Sequence, residues 1–98
     1  MIDEYKIEAA TEKDIEKISA LENICFSSPM SKDNLRAFLL GENGLAFVCY
    51  ETDKKENALM PCAYGGALCV FDEAQILNIA THPDHRGRGL GRLVTEKL

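Results

Sequence analysis

Arg86-Gly87-Arg88-Gly89-Leu90-Gly91-Arg92 packs three guanidinium groups and three alternating glycines into seven residues. Glycine lets the backbone approach phosphate oxygens with no Cβ in the way. A helix that starts here adds unpaired N–H donors and a partial positive charge. The chemistry these residues suit is the cradling of a pyrophosphate.

Spacing separates the phosphate-binding patterns that use such a loop. A nucleoside-triphosphate P-loop needs G-x-x-x-x-G-K-[ST], but Gly87 is followed five positions on by Arg92-Leu93, with neither the lysine nor the magnesium-binding hydroxyl. A dinucleotide fold needs G-x-G-x-x-G and an acidic residue about 20 positions later. Here the glycines alternate and the sequence ends at Leu98. Two blander readings are a basic turn that only links strand to helix, and an arginine-glycine tract for RNA. One short copy on an acidic chain without interleaved aromatics disfavours the second.

A strand must lead into this loop and a helix must leave it. Gln75-Ile76-Leu77-Asn78-Ile79-Ala80-Thr81 reads as a mostly buried central strand, with Asn78 its one polar interior residue. Asn78 reads either as a core amide satisfied by backbone or as a site residue. His82 and His85 flank Pro83 in the connecting turn and read as solvated loop residues rather than bases. Leu90, Leu93, Val94 and Leu98 have helical spacing.

Upstream, Tyr5 and Ile7 alternate with polar neighbours in a predicted strand over 2–8. Thr11 and Asp14 read as N-cap and acidic partner of a capping box. Ile15, Ile18, Leu21 and Ile24/Cys25 then form the apolar stripe of a helix over 12–25. Pro29 breaks the pattern, Ser31 caps a second helix through Leu40, and Gly41 ends it. Leu45 to Tyr50 is a predicted strand, 51–57 its hairpin loop, 61–71 the return strand, and Asp72-Glu73 a tight turn.

The order β-α-α-β-β-β-α has no strand after its last helix. Such a helix normally returns to a parallel neighbour that buries its stripe. The expectation is a single domain over 1–98 with its C-terminal part missing. The stripe Leu90, Leu93, Val94, Leu98 and one edge of the 76–81 strand should then be uncovered, so the chain should form a homodimer, aggregate or fold marginally.

Composition sets outer bounds. A net charge of −5, 46% apolar and 28% charged residues fit one soluble domain and oppose bulk attraction to nucleic acid or anionic lipid. The expected partners exclude direct nucleic acid and membrane. Cys25, Cys49, Cys62 and Cys69 make no C-x-x-C pair and have no histidines at zinc-ligand spacing, so no metal is expected. Cys49 and Cys69 lie in apolar runs, and all four read as reduced core thiols. With no signal-like N-terminus and no apolar run near 18 residues, the expected location is cytoplasmic.

The R-x-x-G-x-G pattern at Arg86, Gly89 and Gly91, behind the strand 76–81 and the turn His82-Pro83-Asp84-His85, resembles the signature of GNAT acetyltransferases. Within that superfamily the chain is most similar to the RimI-type ribosomal-protein-alanine N-acetyltransferases, from Ile7 to Leu98. The similarity is strongest over 72–80 and weaker over 25–31, where Met30 stands in place of the family's usual tryptophan.

The resemblance implies an α/β (α+β) fold, a mixed sheet flanked by helices. It implies acetyl-CoA as co-substrate, with Ile79, Ala80 and Thr81 holding pantetheine and acetyl carbonyl through their backbone. Gly87, Arg88, Gly89, Leu90, Gly91 and Arg92 would hold the pyrophosphate, and Asn78 would sit where the strand bulges and splays. Arg86 and Arg88 either meet the 3′-phosphate of coenzyme A or stand exposed. The implied acceptor is a protein N-terminal amine, on a ribosomal protein. The alternatives are a small-molecule amine acetyltransferase and a catalytically silent acyl-CoA-binding module. The family's base, a glutamate, and acid, a tyrosine, map beyond Leu98. The spacing of Glu73 and Tyr64 makes neither a substitute, so the catalytic residues stay unknown.

Overall fold

The computed structural model describes the backbone at residues 5–70 and 73–97, and the side chains there except at 70 and 73–77. Strand β1 spans Tyr5–Ala9, and a 3-10 turn at Glu12–Asp14 leads into helix α1, Ile15–Cys25. Helix α2 follows at Lys32–Leu40, then β2 at Gly44–Glu51, β3 at Ala63–Val70 and β4 at Glu73–Thr81. A second 3-10 turn, Pro83–His85, precedes helix α3 at Leu90–Lys97.

The four strands pair antiparallel throughout, in the order β1-β2-β3-β4. Alternation along them divides the core into two. Ala46, Val48, Tyr50, Tyr64 and Ala80 face α1 and α2, which contribute the fully buried Ile15, Ile18, Leu21 and Leu35. Cys49 and Ala63 face the other way with Tyr5 and Cys62, and Leu90 and Val94 of α3 pack on them. The result is three layers, two helices on one face of the sheet and one on the other.

The helix starts follow the sequence. The Asp14 carboxylate accepts from Thr11 N–H at 2.8 Å and Thr11 Oγ1–H at 3.2 Å, so the predicted helix over 12–25 opens as a 3-10 turn before becoming α. Ser31 Oγ accepts from Asn34 N–H at 3.2 Å and caps α2. At Gly41 a Cβ would lie 2.3 Å from the Ala37 carbonyl oxygen, which is why the chain turns there on glycine.

Several expectations need correction. The α3 stripe is not uncovered: Leu90 is 2% exposed and Val94 fully buried, with Leu93 half-buried beside them. The helix folds back over the second face of the antiparallel sheet. β4, read as a mostly buried central strand, is an edge of the sheet among the described residues, in keeping with the open edge expected for the 76–81 strand. Cys69 is exposed rather than core, because α3 packs against the Ala63 end of β3 and leaves the Cys69 end uncovered. The connection from β2 to β3 extends to Cys62, beyond the predicted loop over 51–57.

The predicted strand start at 2–4, the turn at Asp72, the burial of Gln75, Ile76 and Leu77, and Leu98 lie outside the described residues. No helix among the described residues is long and apolar enough to cross a membrane.

Candidate functional site

β4 carries a bulge. Gly66 of β3 pairs with Asn78 while the next residue, Ala67, pairs with Ile76, so Leu77 is an extra residue on β4. A bulge kinks its strand and re-aims the residues beside it. Asn78 follows directly, and its Nδ2 donates to Glu22 Oε2 at 3.2 Å and Tyr64 OH at 3.3 Å.

Glu22 is the centre of this group. It is 1% exposed, accepts the Tyr64 hydroxyl on Oε2, and on Oε1 accepts Met30 N–H at 3.0 Å. One carboxylate thereby ties α1 to β3, to the bulge in β4 and to the loop between α1 and α2. Burial, with the Glu22 hydrogen bond next, pushes the Tyr64 phenol well above its ordinary pKa of 10.0. The hydroxyl is neutral at ordinary pH and committed to Glu22. A cavity of about 350 Å³ opens beside the group, lined by Glu22, Phe26, Ser27, Ser28, Met30 and Asn78.

Past the bulge, His82 N–H donates to the Cys62 carbonyl at 2.7 Å. The alternation of an antiparallel ladder then turns the backbone of Ala80, paired with Tyr64, toward β3. The N–H and C=O of Ile79 and Thr81 point out at the open edge. The Thr81 carbonyl there accepts Arg86 Nε at 3.2 Å and the Cys25 thiol at 3.4 Å. Of the three residues expected to meet pantetheine through their backbone, Ile79 and Thr81 present outward-facing groups and Ala80 does not.

The loop turns on two glycines in the left-handed region, Gly87 at φ 83° and Gly89 at φ 77°. Open space surrounds both: a Cβ built at either would find no heavy atom within 4 Å. Gly91 is closer to the sheet, where a Cβ would lie 3.5 Å from Thr81 Oγ1 and 3.6 Å from Ile79 Cγ2. The Gly89 carbonyl accepts Leu93 N–H at 3.0 Å, so α3 starts at the loop and aims its first N–H groups back into it. Leu90 anchors the helix start in the core.

The arginines differ in attachment. Arg88 Nη1 donates to Tyr5 OH at 2.6 Å, whereas Arg92 is exposed and pairs with Glu96 at 3.2 Å, one turn on. His82 and His85, expected to be solvated, are half-buried and engaged. His82 Nδ1 accepts Asp84 N–H at 3.1 Å, and His85 Nδ1 lies 3.0 Å from Tyr5 OH.

With a bulged edge strand, a glycine loop in left-handed geometry and a helix N-terminus aligned, similarity to known proteins can be placed. The acetyltransferase (GNAT) family model matches residues 8–98. The chain belongs to the GNAT family. A Bacillus subtilis protein, provisionally named a [ribosomal protein bS18]-alanine N-acetyltransferase, is 39% identical over 79 residues, covering 81% of this chain and 49% of that protein. The crystal structure of the ribosomal-protein-S18-alanine N-acetyltransferase from Escherichia coli superposes with a TM-score of 0.80 at 27% identity, over 95% of this chain and 56% of that one. A GNAT family N-acetyltransferase of Escherichia coli in complex with CoA shares the fold, with a TM-score of 0.71 at 21% identity over 95% of this chain and 53% of that one. This chain thus spans about half the length of these three proteins.

Among the site residues, Glu22 was missed from sequence. It occupies a position on the apolar stripe of α1, seven residues after Ile15 and four after Ile18. A carboxylate on a buried stripe must be paired, and that was the available signal.

Proposed function

We propose that this chain is the acetyl-CoA-binding part of an N-acetyltransferase whose acceptor is a protein N-terminal amine, an alanine of a ribosomal protein by similarity to its relatives. The observation that carries the reading is the continuous path from the bulge at Leu77, along the open edge at Ile79 and Thr81, to Gly87 and Gly89 at positive φ and the start of α3.

The residues fit a diphosphate. Side-chain-free backbone at Gly87 and Gly89 offers N–H groups to oxygens that a Cβ would obstruct. The first turn of α3, from Leu90 through Arg92, adds N–H donors and the positive end of the helix dipole. Arg88 brings a cation, and Tyr5 holds it beside the loop. Ile79 offers its edge N–H and C=O, and Thr81 its N–H, to a pantetheine amide as one more strand would pair, while the Thr81 carbonyl is held by Arg86 and Cys25.

Acetyl transfer forms a bond from the acceptor nitrogen to the acetyl carbonyl carbon and breaks the carbon–sulfur bond. The amine gives up a proton and the departing thiolate gains one. This chain's part is to hold the thioester at the open edge of β4 and to keep the bulge in place through Glu22, Tyr64 and Asn78. Tyr64 is committed to Glu22, so we assign it no proton transfer, and we assign no base to this chain.

Calorimetry with acetyl-CoA tests the binding part; no measurable heat with a folded chain would sink it. Turnover of an Ala-starting peptide against a polyamine, measured on this chain and on a version extended by the family's remaining elements, tests the acceptor. Preference for the polyamine would favour the small-molecule reading. Binding without turnover by either version would favour a silent acyl-CoA module.

A further inference from the structure

On the α3 side of the sheet, three segments distant in sequence bring together side chains that the acetyl-transfer reading does not use. Glu51 ends β2, Cys62 immediately precedes β3, and His85 closes the turn after β4. Two backbone hydrogen bonds fix Cys62 between the other two segments: its N–H donates to the Cys49 carbonyl at 2.8 Å, and its carbonyl accepts His82 N–H at 2.7 Å. One donor atom from each of Glu51, Cys62 and His85 lies within 4.8 Å of the other two, and His85 Nε2 is 3.6 Å from Glu51 Oε1.

We propose that Glu51, Cys62 and His85 form a binding site for one thiophilic divalent transition metal of the zinc class. In a tetrahedral zinc site with bonds of roughly 2.0–2.3 Å, donor atoms stand about 3.3–3.8 Å apart. The cluster therefore needs a contraction of about 1 Å. The pair His85 Nε2–Glu51 Oε1, at 3.6 Å, already has that spacing, so the contraction falls on the distances to the Cys62 thiol. One thiolate, one imidazole and one carboxylate favour zinc or cobalt over magnesium and calcium, which prefer all-oxygen shells.

The surroundings suit ligation. His85 Nδ1 faces the Tyr5 hydroxyl at 3.0 Å. In the tautomer with the proton on Nδ1, that nitrogen donates to the phenol oxygen and leaves the Nε2 lone pair on the Glu51 side, the outer-shell arrangement that orients metal-bound histidines. A cavity of about 280 Å³, lined in part by Glu51, Cys62, His82 and His85, gives the ion a way in and leaves room for water as a fourth ligand. Without metal, burial raises the Cys62 thiol above its ordinary pKa of 9.0, against a lowering from a backbone hydrogen bond and from Arg88. It is then a protonated thiol. Binding replaces the S–H bond with a metal–sulfur bond and releases that proton to solvent. The expectation of no metal rested on linear spacing, which cannot register ligands gathered from three segments.

Cobalt is the probe. The 98-residue chain, stripped by chelator, kept reduced and carrying Cys25→Ala and Cys69→Ala to remove the more exposed thiols, is titrated with Co²⁺. One equivalent should bind with a thiolate-to-cobalt charge-transfer band in the near ultraviolet, which Zn²⁺ then abolishes. His85→Ala, a change at a half-buried turn residue, should weaken Co²⁺ binding at least tenfold. Cys62→Ala, checked for folding by circular dichroism, should lose the band. Absence of the band in the double variant, or Co²⁺ affinity in His85→Ala within threefold of its parent, would overturn the proposal.

Discussion

Replacing Glu22 with Ala removes the acceptor shared by the Tyr64 hydroxyl, the Asn78 amide and Met30 N–H. A buried donor left without a partner costs about 1–3 kcal/mol. Tyr64 is fully buried and bears that cost in full. Met30 and Asn78 line the neighbouring cavity, where water can take over part of the lost bonding. Removing the carboxylate also relieves its own desolvation. The balance is a loss of about 2–4 kcal/mol, a large share of the roughly 5–15 kcal/mol that holds a small domain together. With a urea slope of about 1 kcal/mol/M, the unfolding midpoint should fall by about 2 M or more. Tyr64→Phe in the native background should cost about 1 kcal/mol, and in the Glu22→Ala background less, because the acceptor of the hydroxyl proton is already gone and only the 3.3 Å contact from Asn78 remains. A midpoint shift below about 0.5 M for Glu22→Ala, or additive losses in the double variant, would refute the claim that one carboxylate organises α1, β3 and the bulge.

Gly89→Asp should weaken acetyl-CoA binding at least tenfold by calorimetry, since it sets a negative charge at the loop; Gly89→Asn, which tolerates the left-handed conformation, should weaken it less. Equal affinities for the two variants would mean that charge at this position does not face the diphosphate. Gly44→Ala should lower the melting temperature, because its Cβ would lie 2.1 Å from the backbone oxygen of Phe38 and the chain itself would have to shift; an unchanged melting curve would contradict that close approach. High pH should destabilise the fold. Burial raises Tyr50 and Tyr64 above 10.0 and pushes Cys49 from 9.0 up to about 12. The native state therefore keeps protons that the unfolded chain releases. These groups' contribution is complete below about pH 9 and falls by about 1.4 kcal/mol per pH unit for each group above its unfolded pKa. Urea midpoints measured from pH 7 to 11 should decline above pH 9, less steeply in Tyr50→Phe.

The features that local patterning sets were legible. Ile15, Ile18 and Leu21 announced α1, Ser31 announced α2, and Gly87 with Gly89 announced a loop needing positive φ. The sequence also held a clue that was not used. Leu45 to Tyr50 is apolar at every position, whereas a strand with one solvated face alternates. Phe47 and Cys49 needed a cover of their own, and α3 supplies it. The partners of Glu22 were beyond reach for another reason: Tyr64 and Asn78 lie 42 and 56 residues away, and no periodicity links a helix position to a bulge on a strand not yet paired. The cluster of Glu51, Cys62 and His85 was hidden in the same way.

The contact from Arg88 to Tyr5 joins residues 83 apart in sequence, and β1 is the strand farthest from β4 in the sheet. During synthesis Tyr5 joins the growing chain long before its arginine, by about 4–17 seconds at roughly 5–20 residues per second. Its strand can pair only after Glu51, its register partner on β2, has followed it out. The guanidinium is made after all four strands, and of the described elements only α3 follows it. The anion loop and α3 after it are therefore the last described parts of the fold to be made, and a chain terminated before Arg88 has all four strands but lacks the guanidinium that ties the loop to β1.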